Sequence, residues 1–136
     1  MRYVGILVEG ETEEQFVKVV LNPYFEPSQL LFDPVRVGKS GKKGRKDGRK
    51  KAGGISNFHE FQSDLNELLR NTVYIRVTTM FDYYRLPKDF PGYQTLTSAM
   101  KSHQAVEHLE EALRDAINHP RFLPYLSLWR NDLDLS

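Results

Sequence analysis

The sequence contains no cysteine. This excludes disulfides, thiolate nucleophiles and cysteine-ligated zinc together. The four histidines, His59, His103, His108 and His119, show no His-Glu-x-x-His or paired-ligand spacing, so zinc is not expected. No apolar run approaches the roughly 18 residues that a membrane-crossing helix needs. The N-terminus does not show the pattern of a secretory signal. No GxxxxGK[ST] follows a candidate strand, which removes the nucleotide-binding P-loop, and no internal repeat is present. What remains is one domain of ordinary size, 136 residues with 40% hydrophobic composition, expected in the cytoplasm and away from membranes.

Net charge is also scarce: 19 Lys plus Arg against 18 Asp plus Glu leave +1. The balance is not local. Between Arg36 and Lys51 nine basic residues meet a single acid, Asp47, giving +8. The other 120 residues carry ten bases and seventeen acids, or −7. An acidic body with one concentrated basic segment differs from a neutral protein.

The pass along the chain alternates between strand and helix periodicity. RYVGILV (2–8) reads as a buried strand. From Thr12, a candidate cap, the pattern turns helical, with Glu13 and Glu14 suited to a helix start and Phe16, Val19 and Val20 on one face. Asn22-Pro23 is expected to end that helix. FDPVRV (32–37) is a short strand leading into residues 38–54, which hold six of the nine glycines and no aromatic. With so few apolar residues this basic segment is expected to be a mobile loop.

A second helix is expected from Ser56-Asn57. Asn57 with Glu60 resembles a capping box, and Phe58, Phe61, Leu65, Leu68 and Leu69 follow helical spacing. TVYIRVTTMF (72–81) is a central strand that runs into Asp82. DYYRLPKDFPGYQ is a loop broken by Pro87, Pro91 and Gly92. A third helix is expected over Ser102–Asn118, stopped by His119-Pro120, and FLPYLSLW (122–129) reads as a last strand. This β-α-β-loop-α-β-α-β order predicts an α/β fold with a parallel or mixed sheet covered by helices.

In open α/β sheets ligands bind beyond the carboxyl ends of the strands. Glu9 follows the first strand and Asp82 the longest. If those strands are neighbours, both carboxylates face one crevice, and oxygen ligands of that kind suit Mg²⁺ or Mn²⁺. Such a cation can polarise a phosphoryl oxygen and orient an attacking water. Glu11 and Glu14 are better read as helix-start acids. On spacing alone, Glu9-Gly10 stands evenly between a site and a solvated turn.

VEGETEEQF (8–16) resembles the first motif of Toprim domains, especially those of the overcoming-lysogenization-defect nucleases, where a strand ends in Val-Glu-Gly and another acid follows at the helix start, here Glu13. More specifically, VEGETEEQFVKVVLNPYF, GGISNFHEFQSDLNELL, VTTMFDYYRLPKDFPG and RFLPYLSL, in that order, resemble the Toprim-like family known as domain of unknown function 4276. The resemblance implies a Toprim-like (Rossmann-like), mostly parallel central sheet flanked by helices. It makes Glu9 the Toprim glutamate, a general acid/base or metal ligand, and Asp82 the first aspartate of an Asp-X-Asp motif. Tyr84 stands where the second aspartate would be, and Asp89 is a candidate replacement. The candidate metal set is therefore Glu9, Glu13, Asp82 and Asp89. Family members continue into a His-Glu-Phe-Glu-like motif where this chain reads Trp129-Arg130-Asn131-Asp132 and stops, so the resemblance implies a domain shortened at its C-terminus.

The basic segment can neutralise several phosphates and release counterions. Lacking aromatics, it is expected to grip a nucleic-acid backbone without reading bases, through Lys42, Lys43, Arg45, Lys46, Arg49, Lys50 and Lys51. The alternative is a solvated insertion whose charge keeps the protein soluble. Tyr83, Tyr84 and Arg85 follow Asp82 closely enough to touch a substrate, although the tyrosines are more naturally read as packing the loop.

The leading expectation is a Mg²⁺-dependent nucleic-acid phosphodiester hydrolase or a degenerate relative. The resemblance adds an ATPase partner and a role in phage defence. A non-catalytic module that uses the basic segment to bind nucleic acid or an acidic partner is the alternative. A third reading is an interaction subunit that forms a homo-oligomer through an exposed sheet edge.

Overall fold

β1 (Arg2–Val8) is buried from Val4 to Val8, as a strand covered on both faces should be, and its apolar run is accordingly continuous. In the computed structural model, which describes residues 1–38 and 56–128, β1 lies between two parallel neighbours. These are β2 (Leu30–Arg36) and β3 (Tyr74–Asp82). Two short strands, β4 (Phe122–Leu123) and β5 (Leu126–Ser127), run parallel to β3 on its far side. The order is β2-β1-β3-β4, with β5 also paired to β3. The expected parallel α/β sheet is present.

The last strand differs from the single expected run. Pro124 separates β4 from β5 and has no N–H for a ladder. Thr79, fully buried in β3, bridges the interruption. Its hydroxyl donates to the Tyr125 carbonyl at 2.7 Å and accepts the Tyr125 N–H at 2.9 Å.

The first helix also differs from expectation. α1 (Glu11–Phe16) continues through a π-helical turn, Val17–Leu21, into α2 (Asn22–Phe25). Pro23 cannot donate, and its ring crowds the carbonyl four residues earlier in a regular α-helix. The wider π turn, in which the Asn22 N–H reaches the Val17 carbonyl, carries the chain past that conflict. Asn22 itself turns to the sheet. Its carboxamide accepts the Phe32 N–H at 2.8 Å and donates to the Phe32 carbonyl at 3.0 Å, so it pairs with β2 as a strand would.

α3 (Phe58–Leu69) starts as expected, with the Asn57 side chain accepting the Glu60 N–H at 2.8 Å. α4 (Ser102–Ile117) ends at Asn118, which takes the left-handed conformation with φ 51°. These two helices cover one face of the sheet. Phe61, Leu65, Leu109 and Leu113 join Leu7, Val77, Phe81 and Phe122 in the main core. Each such side chain contributes about 1.5–3 kcal/mol on burial. The opposite face is covered by the first helical unit, where Val17 packs with Ile6, Val8 and Met80.

The amino end of the sheet is tied by polar groups. The Tyr74 ring lies against Gly5, where an added Cβ would stand 2.8 Å from it. That close approach lets the Tyr74 hydroxyl cross β1 and donate to Asp33 on β2 at 2.5 Å. Burial, reinforced by the Asp33 carboxylate, pushes the Tyr74 hydroxyl up to about 12. Arg121, just before β4, donates to the carbonyls of Leu69, Asn71 and Tyr74.

Candidate active site

Strand order locates the crevice. From β1 the chain passes through α1 and α2 to β2 on one side, and from β3 it passes through α4 to β4 on the other. The connections diverge at the carboxyl ends of β1 and β3, the position where open α/β sheets hold ligands. Glu9 and Asp82 are the residues at those two ends.

The structure brings the pair together. Glu9 is 6% exposed, and its Oε1 accepts the Asp82 backbone N–H at 2.8 Å. Burial raises the Glu9 carboxyl above its ordinary range; the Asp82 N–H opposes that shift. The Glu13 charge raises it further, Arg85 lowers it and the Asp82 charge raises it. Asp82 is half-exposed, and its Oδ1 accepts the Tyr84 N–H at 3.0 Å, capping the one-turn helix Tyr83–Arg85. Each carboxylate therefore has one oxygen fixed by a backbone N–H. Among the described residues, neither Glu9 Oε2 nor Asp82 Oδ2 has a hydrogen-bond partner.

The other two acids proposed for a metal have structural partners. Glu13 accepts the Gly10 N–H at 3.1 Å, as a helix-start acid does, and its charge still acts on Glu9. The expected cap at Thr12 is thus replaced by Gly10, stabilised from within the first turn. Asp89 turns to the start of α3, where both its oxygens lie 3.0 Å from the Phe58 N, and it is not among the charges acting on Glu9. Glu14 bonds Arg36 at 2.6 Å and Lys18 at 3.1 Å; the Arg36 bond, then Lys18, holds its carboxyl below the ordinary range. It is a surface link from α1 to β2.

Among the described residues no group of three or more His, Asp or Glu converges as a metal cage. Two carboxylates with open oxygens nevertheless fit Mg²⁺, which takes one or two carboxylates and fills its shell with water and substrate phosphate. Glu9 and Asp82 are the residues that would hold it.

The basic residues Lys42, Lys43, Arg45, Lys46, Arg49, Lys50 and Lys51, like Trp129, lie outside the described residues. The flanks of that segment are described. On one side the Val37 N–H bonds the Val8 carbonyl at 2.9 Å, and the Gly38 N–H bonds the buried Asp64 at 2.6 Å. On the other, Ser56 donates to Glu60 at 3.0 Å beside the start of α3, which Asp89 ties to the loop after β3. Both flanks are thus anchored at the carboxyl edge that carries Glu9 and Asp82.

Tyr83 packs against the main core as expected for a loop tyrosine, whereas Tyr84 remains 43% exposed. Arg85 is exposed and makes no hydrogen bond or ion pair with a described residue. Glu110 was not singled out by the sequence. Its Oε2 accepts the Leu126 N–H at 2.9 Å, and burial raises its carboxyl above the ordinary range. A glutamate followed by another acid on an amphipathic helix carries no sequence signal for such a contact. With Asn22 on β2, it gives each outer strand one side-chain partner.

Comparison with known families places these observations in one group. The model described as a domain of unknown function, DUF4276, matches residues 8–129, and no curated protein or solved structure matches the chain. The chain therefore belongs to the DUF4276 family.

Proposed function

We propose that this DUF4276 protein is a Mg²⁺- or Mn²⁺-dependent phosphodiester hydrolase acting on nucleic acid, with the Toprim resemblance as its wider kinship. The observation that carries the reading is the meeting of Glu9 and Asp82 across β1 and β3 at the carboxyl end of the sheet, with Glu9 Oε1 2.8 Å from the Asp82 N. A bound divalent cation supplies polarisation of the phosphoryl oxygen. Asp82 would be its principal protein ligand. Glu9, with its proton affinity raised by burial, takes the proton of the attacking water, a role that favours a carboxylate shifted towards neutral pH. The water oxygen bonds to phosphorus, the phosphorus–ester oxygen bond breaks, and the departing oxygen takes a proton from solvent.

Charge placement supports a polyanionic substrate. The segment with eight excess positive charges is flanked on both sides by residues anchored at the same edge. Lys42, Lys43, Arg45, Lys46, Arg49, Lys50 and Lys51 hold backbone phosphates in this reading, with affinity that falls as salt rises. The Toprim resemblance adds an ATPase partner and a role in phage defence, and a cytoplasmic setting, expected from the sequence composition, belongs to the same reading. No helix among the described residues is long and apolar enough to cross a membrane.

A second reading, a nucleic-acid-binding module without catalysis, is favoured by Tyr84 in place of an acid and by the absence of a third converging ligand among the described residues. Cleavage of labelled DNA and RNA with Mg²⁺ or Mn²⁺ separates the two. The hydrolase reading predicts metal-dependent cleavage that Glu9→Gln lowers by about 10²–10⁴-fold, the range of a lost general base. No metal-dependent cleavage, together with salt-sensitive binding abolished by neutralising residues 42–51, leaves the binding module.

A further inference from the structure

Next to the acid pair stands an aromatic residue held in place by contacts with described residues. Tyr84 follows Asp82 by two residues, and its N–H is fixed by the Asp82 carboxylate at 3.0 Å. Its hydroxyl lies 3.2 Å from Ser102 Oγ, at the start of α4. Its ring meets Tyr83 in a T-shaped contact, with centroids 4.8 Å apart and an interplanar angle of 64°. Tyr83 in turn packs on the main core. A residue so anchored would ordinarily be covered, yet Tyr84 is 43% exposed. Beside it Arg85, exposed and without a partner among the described residues, lies close enough for its charge to act on Glu9.

We propose that Tyr84 and Arg85 form a nucleotide step beside the acid pair, and that the substrate is an unpaired nucleic-acid strand. Tyr84 stacks on the base next to the reacting phosphate, and Arg85 holds that phosphate. A ring fixed before binding loses little freedom when a base covers it. In a duplex each base is already sandwiched by its neighbours, so an aromatic side chain takes up a base splayed from the stack. The guanidinium offers a planar fork that matches phosphate oxygens. This inference rests on the hydrolase reading and names its substrate class.

The test uses a short oligonucleotide carrying 2-aminopurine, single-stranded or annealed to its complement, with Ca²⁺ replacing Mg²⁺ so that binding is read without cleavage. The single strand should bind about tenfold more tightly than the duplex, within the range that base–aromatic stacking contributes. Its 2-aminopurine fluorescence should be quenched on binding. Tyr84→Phe should keep both effects. Tyr84→Ala should lose both while its urea midpoint shows that it is folded. Arg85→Ala should weaken single-strand binding and reduce the salt slope by about one phosphate contact. Equal affinity for the two forms, or a preference and quench unchanged in Tyr84→Ala, would overturn the proposal. The two readings fail separately. Single-strand preference without cleavage in Mg²⁺ removes the hydrolase and leaves the nucleotide step, whereas equal cleavage of single strand and duplex removes the step and leaves the hydrolase.

Discussion

At the amino end of the sheet Arg121 donates to the carbonyls of Leu69, Asn71 and Tyr74, whereas at the carboxyl end Arg85 donates to no described residue. The tyrosines divide in the same way. Tyr74 is buried, with its hydroxyl on Asp33, and Tyr84 is fixed but exposed. The carboxylates differ in what they bond: Asp33 accepts from a tyrosine hydroxyl of the same sheet, whereas Glu9 and Asp82 each accept from a backbone N–H at the strand ends. Similar side chains at the amino end complete the fold, and at the carboxyl end they leave bonding capacity for a ligand. Parallel α/β sheets assign their two ends in this manner.

The comparison can be broken most sharply at Arg121. Arg121→Ala removes the donor to three carbonyls that hold the end of α3 to the start of β3, and it should cost about 2–3 kcal/mol, read as a lower urea midpoint. An unchanged midpoint would mean that the amino end is not the structural clamp described. A smaller effect, with a defined sign, is expected at Glu9 in EDTA. Its raised folded-state carboxyl means that the folded chain holds a proton more tightly than the unfolded chain. The stability linked to that proton is complete below the ordinary glutamate value of 4.5 and is lost as pH rises through the raised value. Glu9→Gln should therefore match or exceed the wild-type midpoint at pH 8, and its advantage should shrink as pH falls towards 4.5. An advantage that grows on acidification contradicts the burial argument. The smallest effect belongs to Arg85→Ala, which should move the midpoint by no more than about 0.5 kcal/mol. A loss as large as that of Arg121→Ala would erase the distinction between the two ends.

Much of the fold was legible because periodicity and caps report local causes. β1 stands where RYVGILV placed it, and Asn57 caps α3 as its spacing with Glu60 suggested. Glu9 and Asp82 could be named from strand ends, but their meeting depends on β1 and β3 being neighbours, which is a property of topology. Pro23 misled because its steric conflict is local while the remedy, a π turn over Val17–Leu21, is not a pattern of residue types. Pro124 misled in the opposite direction, since Thr79 on another strand supplies the hydrogen bonds that keep the interrupted run beside β3. Asp89 looked like a spare ligand from its place in the loop. Its attachment to Phe58 joins residues 31 positions apart, and no local signal carries such a contact.

In the proposed hydrolase, Glu9 and Asp82 form one cation-binding site at the carboxyl end of the sheet. Anomalous diffraction from crystals of the protein with a bound oligonucleotide, soaked in Mn²⁺, tests it most directly. A single manganese peak contacted by both carboxylates in wild type, and lost in Asp82→Asn, is the predicted result. No peak there, or one that persists unchanged in Asp82→Asn, would contradict it.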